Sequence, residues 1–152
     1  MKWKAELEEK KLDALFVLFD GVSDEELKAH LAKFLCIRTS GLVETTLKNL
    51  IIEYIDKSSP VPVQKFVIEK IQNITNLKYT KLHGALCSFK DAWGSKFEAL
   101  TTDAQREALN AVVSNRNKIA HGEPDNISFE VLKTYYLSIK EVISHLKGIV
   151  KK

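Results

Sequence analysis

Arginine is scarce in this chain: of its 23 basic residues only Arg38, Arg106 and Arg116 are arginine, so the placement of each is informative. No apolar run approaches the roughly 18 residues that a membrane span requires, and 28% of the residues are charged, which leaves a membrane-spanning reading without support. There are only two cysteines, Cys36 and Cys87, each isolated in an apolar helical stretch. Neither has a CxxC partner or a nearby His at zinc-ligand spacing, so both are expected to be reduced core residues. The sequence lacks a Gly-rich phosphate loop, an HExxH pair and a paired-carboxylate metal site, which leaves nucleotide hydrolysis and metal-dependent nuclease chemistry unsupported. The opening Met1-Lys2-Trp3-Lys4-Ala5-Glu6 leads straight into a charged helical pattern, without the short apolar stretch of a signal peptide, and a cytoplasmic protein is expected. Charge of one sign is also modest. The net charge of +3 and the pI near 8.8 permit a nucleic-acid partner without arguing for one.

What is present is helical periodicity. With 152 residues, 45% of them hydrophobic, the chain is expected to form a single domain over 1–152, all-α, as an up-and-down bundle with a long second helix. The first helix is read over Lys4–Asp20, with Leu7, Leu12, Leu15, Phe16 and Phe19 on one side and Gly21 as its stop. Ser23-Asp24-Glu25-Glu26 has the form of a capping box with Ser23 at the N-cap, and the pattern then continues to about Lys57, with Ser40-Gly41 as a site for a bend. Pro60 and Pro62 break the chain before helices over about Val63–Ile74 and Tyr79–Ala92, the latter stopped near Gly94. Thr102-Asp103-Ala104-Gln105 reads as a second capping box, opening a helix that ends near Gly122 ahead of Pro124. Ser128 caps a last helix reaching about Gly148.

The helix ending at Gly122 carries the chemistry. Leu109, Val112, Val113, Ile119 and Ala120 make its apolar face, and Arg116 falls in the middle of it. A guanidinium there needs either a buried acidic partner or a cleft that receives an anion, because burying it unpaired costs several kcal/mol. Asn117 and His121 lie one turn apart at the flank of the same stripe. Attack of a ribose 2′-OH on the adjacent phosphodiester needs a group that moves protons near neutral pH and a fixed cation for the phosphoryl oxygens. His121 suits the first task and Arg116 the second, its planar fork matching phosphate in a way that lysine does not; Asn117 can orient either group or the substrate.

Other residues are more ambiguous. Glu44 shares a stripe with Ile37, Gly41, Ile51 and Ile55 and is the candidate partner for Arg116, or else pairs with Lys48 four residues on. Arg38 aligns with Leu31, Phe34, Leu42 and Ile52 and offers a second phosphate contact, or else snorkels at the core edge. Lys118, with Lys78 and Lys81, is a candidate RNA-backbone contact. Tyr79, Trp93, Tyr135 and Tyr136 are read as core rather than as base-stacking groups, and His145 as a surface residue. A proton-transfer pair needs a base and an acid, yet the motif supplies one His, and His30, His83 and His145 are remote from it in sequence. A two-fold homodimer is expected to provide the second; the alternative is a monomeric site completed by a distant His or a water.

Ser114-Asn115-Arg116-Asn117-Lys118-Ile119-Ala120-His121-Gly122 resembles the R-N-x-x-A-H-G form of the R-x4-6-H motif of HEPN domains. The early Arg38-Thr39-Ser40-Gly41-Leu42-Val43-Glu44 and the late Tyr135-Tyr136 make the chain similar to the RiboL-PSP branch, over about Phe34 to Leu146. The resemblance implies a helical bundle that cuts single-stranded RNA without metal or cofactor, leaving a 2′,3′-cyclic phosphate and a 5′-OH. It further implies a homodimer with both motifs facing one cleft, and a toxin or phage-defence setting with an antitoxin or a fused or neighbouring defence protein as partner. The alternative is a non-catalytic HEPN module that binds RNA, a nucleotide or a partner protein. HEPN toxins paired with nucleotidyltransferase antitoxins often carry a Tyr two residues after the motif His; here that position is Glu123, which puts silencing by adenylylation in doubt.

Overall fold

The periodicity resolves, among the described residues, into seven α-helices and no strand: α1 (Lys4–Asp20), α2 (Glu25–Ser58), α3 (Val61–Gln72), α4 (Tyr79–Phe89), α5 (Asp91–Leu100), α6 (Asp103–Ala120) and α7 (Phe129–Ile149). The computed structural model describes residues 4–125 and 127–151, so the opening Met1-Lys2-Trp3 lies outside the described residues. The all-α class and the long second helix match the sequence reading. No described helix is long and apolar enough to cross a membrane.

α2 is the spine, packed against α1, α3, α6 and α7. Its first turn is capped by Asp24, whose side chain accepts from the Leu27 N–H at 3.1 Å, one residue later than the Ser23 cap read from sequence. The 34-residue helix runs unbroken through Ser40-Gly41. Leu35, Cys36, Leu42, Val43, Leu50 and Ile51 are all buried along it, and neighbours on several sides, rather than local propensity, keep it helical past that pair. α1 packs on it and buries Leu12 and Phe16, while Leu7 is 46% exposed, so the apolar face of α1 is narrower than the sequence reading had it.

Two boundaries also differ. α3 begins at Val61 rather than Val63, because Pro60 is its N-cap and Pro62 sits in the first turn, where a missing N–H leaves no intrahelical bond unmade. The region read as one helix ending near Gly94 is two, α4 and α5, separated by the single extended residue Lys90 (φ −152°, ψ 130°). Gly94 lies buried inside α5 rather than stopping a helix. A Cβ there would stand 2.1 Å from Cys87 Sγ, so the glycine allows α5 to close on α4.

The Thr102 capping box is present in full, with Thr102 Oγ1 accepting from Gln105 N and Gln105 Oε1 from Thr102 N, each at 3.1 Å. Ser128 caps α7 by accepting from Val131 N. α7 supplies Leu132, Tyr136, Ile139, Ile143 and Leu146 to the core, and Tyr136 stacks on Phe16 with ring centroids 4.2 Å apart. Its hydroxyl donates to Asp13 Oδ1 at 2.7 Å, and burial together with that carboxylate pushes its pKa well above the ordinary tyrosine value.

Candidate active site

α6 is fixed at both ends, and its C-terminal closure places the motif. Gly122 adopts φ +69°, a left-handed conformation that glycine takes without steric cost. The Glu123 N–H reaches the Lys118 carbonyl at 2.8 Å and the Gly122 N–H reaches Ile119 at 3.2 Å, which together form a Schellman closure. His121 is therefore the C-cap. Its backbone N–H bonds the Asn117 carbonyl at 3.1 Å and its side chain is exposed at the helix end. Ala120, read as part of the apolar face, is also exposed, because the helix has by then run past the core.

Arg116 is half-buried, and its Nη1 donates to two neutral amides, Asn117 Oδ1 at 3.2 Å and Asn76 Oδ1 at 3.3 Å. Among the described residues no carboxylate forms an ion pair with it, and Nε and Nη2 have no protein acceptor. Asn117 thus touches both ends of the motif, holding Arg116 through its side chain and His121 through its backbone. Of the two possibilities the sequence left open for this arginine, a carboxylate partner is not the one found.

Glu44 reaches this cluster indirectly. Its Oε2 accepts the backbone N–H of Asn76 at 2.9 Å, and Asn76 in turn accepts from Arg116. It does not pair with Lys48, whose Nζ donates to the Gln72 carbonyl at 3.3 Å instead. Sequence reasoning missed Asn76. The only local signal is an Asn between two helical patterns, a residue type that tolerates its φ of 55°, and nothing ties position 76 to position 116 forty residues away.

The structure does not bring Arg38 to this cluster. Its guanidinium pairs with Glu8 of α1 and lies 5.4 Å from the Phe34 ring centroid. Lys118 is half-buried next to the motif, Lys78 is exposed at the start of α4, and Lys81 Nζ is tied to the Thr75 carbonyl at 2.5 Å. The aromatics are packed, as read: Trp93 and Tyr136 are buried, Tyr135 is partly buried against the core, and Tyr79 stacks on Phe97 beneath Arg106. The other histidines are placed elsewhere. His30 is exposed on α2, and His145 bonds Gln105 Oε1 at 3.2 Å, so it is not the plain surface residue expected. His83 Nε2 lies 3.7 Å from Cys87 Sγ, one helical turn away, a neighbour that the sequence reading of Cys87 overlooked.

Both cysteines are free, Cys36 buried and Cys87 half-buried. The Cys36 thiol donates to the Val112 carbonyl at 3.5 Å across the α2–α6 seam; burial, with Asp125 nearby, pushes its pKa up to about 12. Among the described residues no group of three or more His, Cys, Asp or Glu side chains is placed to hold a metal ion. A model of the RiboL-PSP-HEPN family matches residues 5–152, beyond both ends of the stretch over which the motifs suggested a resemblance. No curated protein and no solved structure matches the chain.

Proposed function

The chain belongs to the RiboL-PSP-HEPN family, a family of predicted ribonucleases, and on that premise we propose that it is a metal-independent endoribonuclease acting on single-stranded RNA. The observation that carries the reading is the state of Arg116: half-buried, oriented by two neutral amide oxygens, with no acceptor for Nε and Nη2 among the described residues. A phosphodiester supplies that anion, and a fork of N–H donors matches its two non-bridging oxygens.

In the proposed reaction a base removes the proton of a ribose 2′-OH, the 2′-oxygen bonds to the adjacent phosphorus, and the bond to the 5′-oxygen breaks. An acid protonates that leaving oxygen, so the products are a 2′,3′-cyclic phosphate and a 5′-OH. Arg116 stabilises the charge on the phosphoryl oxygens, His121 transfers protons, Asn117 orients Arg116, and Lys118 contacts the RNA backbone. Glu44 supports the site; Arg38, engaged with Glu8, is given no part in the chemistry. One His per motif leaves either the base or the acid to a second copy, so the acting species is a homodimer with its active site at the interface. Such an activity suits a cytoplasmic toxin or phage-defence effector restrained by an antitoxin or by a fused or neighbouring defence protein.

The test is incubation with single-stranded RNA in EDTA beside Arg116→Ala and His121→Ala. Cyclic-phosphate products that disappear in both variants, from a protein that sediments as a dimer, support the enzyme. Wild-type protein that binds RNA and never cuts it moves the reading to a non-catalytic RNA-binding module.

A further inference from the structure

We propose that Asn76 is a positioning residue for this site, and that Glu44 acts on the reaction through it. The inference rests on the ribonuclease reading above, since it concerns how Arg116 is presented to the phosphate.

The segment joining α3 to α4 is held along its length. Lys48 Nζ bonds the Gln72 carbonyl, Lys81 Nζ the Thr75 carbonyl, and Asn110 Oδ1 accepts the Tyr79 N–H at 2.8 Å. Leu77 is inserted into the core, 1% exposed. Between these ties Asn76 adopts φ 55°, uncommon for a residue with a Cβ, and the Glu44 carboxylate takes its backbone N–H. A connecting segment is ordinarily where a chain is loose. Here the backbone is fixed on both sides of one side chain, and that side chain's Oδ1 meets Arg116.

The chemistry of the contact matters as much as its position. Had Glu44 met Arg116 directly, a carboxylate would compete with the phosphate for the same fork. With Asn76 interposed, the acid anchors the backbone and a neutral amide oxygen holds the guanidinium. Asn76 and Asn117 both bond Nη1, which fixes the plane of the group from one side and leaves its cationic charge for substrate.

Two kinds of substitution separate geometry from charge. Asn76→Gly keeps a residue at ease with positive φ and removes only the amide; it should fold normally and lower kcat by about tenfold to a hundredfold with little change in KM for RNA. Asn76→Asp keeps the shape and adds a competing carboxylate, so its loss should fall on RNA affinity, about tenfold in KM. Glu44→Gln, which retains an oxygen for the Asn76 N–H, should keep most of the activity that Glu44→Ala loses. Wild-type kcat in a folded Asn76→Gly, or a Glu44→Gln as inactive as Glu44→Ala, would overturn the proposal. The guanidinium N–H resonances of Arg116, assigned by their loss in Arg116→Ala, give a readout independent of cleavage. They should be sharp and distinct in the wild type and averaged in Asn76→Gly. If the wild type cuts no RNA, the ribonuclease reading fails, and these resonances still report whether Asn76 holds Arg116; unchanged resonances in Asn76→Gly overturn the positioning role itself.

Discussion

Arg38 on α2 and Arg116 on α6 are both half-buried, yet only the first is neutralised. Arg38 is matched by the Glu8 carboxylate and covers the Phe34 ring, so that corner carries no net charge to offer. Arg116 is held by two amides that orient it and cancel nothing. The third arginine shows that neutral partners alone do not make a site. Arg106 lies over Tyr79 with its Cζ 4.2 Å from the ring centroid, and donates to the Glu98 carbonyl at 2.8 Å and to Thr101 Oγ1, so both its face and its fork are occupied at the end of α5. Of the three, Arg116 is the one whose Nε–Nη2 edge has no acceptor among the described residues; in Arg38 and Arg106 that edge is taken. Availability of charge distinguishes the region around α6 from the region around α1.

The largest expected effect breaks that contrast or establishes it. Arg116→Ala should lower RNA cleavage about 10²- to 10³-fold, the size of losing one preorganised donor at a developing oxyanion. Arg38→Ala should stay within about threefold in the same assay, by the same reasoning applied to a group already neutralised. Comparable losses in both would mean that pairing with Glu8 does not withhold Arg38 from substrate. Arg116→Lys should fall between them, because an ammonium keeps the charge and loses the fork.

The ends of the helices that carry this contrast were largely legible in the sequence, whereas the partners of Arg38 and Arg116, Glu8 and Asn76, were not. The Thr102 box, the Gly122 stop and the Ser128 cap are local signals, and they set the ends of α6 and the start of α7 correctly. The short helix α5 was not legible: the break before it is one extended lysine with no Pro or Gly, and Gly94, which looked like a stop, is a packing contact. Periodicity also placed Glu44 and Arg116 on faces that could meet, but a face gives no depth. Whether two side chains touch or are bridged by a third depends on a loop whose conformation, the positive φ of Asn76, is settled by tertiary ties.

A second way to sharpen the comparison is to loosen the seam between the two arginines. Cys36, one turn before Ser40 on α2, is anchored to α6 at Val112, and burial raises its thiol from an ordinary 9.0 to about 12. The group is neutral when folded and ionises more readily when unfolded. Its contribution is therefore complete below about pH 9 and lost as pH rises toward about 12. Denaturation midpoints should fall across that window, and Cys36→Ala should flatten the fall in part, since buried Tyr136 shifts in the same direction. A thiol reagent at neutral pH should modify Cys87 and spare Cys36 until the protein unfolds. Lys118→Ala gives a smaller effect, reducing the slope of log affinity against log salt by about 1 and weakening binding alike for all RNA sequences.

The smallest expected effect concerns Glu8. A half-exposed ion pair contributes at most about 1 kcal/mol, which for a chain of this size is a shift of about 2–4 °C in Tm. Glu8→Gln should therefore melt only slightly earlier, by calorimetry, while RNA cleavage stays at the wild-type level. The variant also removes the charge that matches Arg38 while leaving an amide oxygen in reach of it, so it asks whether an unneutralised cation on α2 is enough to recruit RNA. If Arg38 lies away from the path of the phosphate, releasing it changes nothing in affinity. A severalfold rise in RNA affinity for Glu8→Gln, abolished again in Glu8→Gln/Arg38→Ala, would make Arg38 a second phosphate contact held back by Glu8.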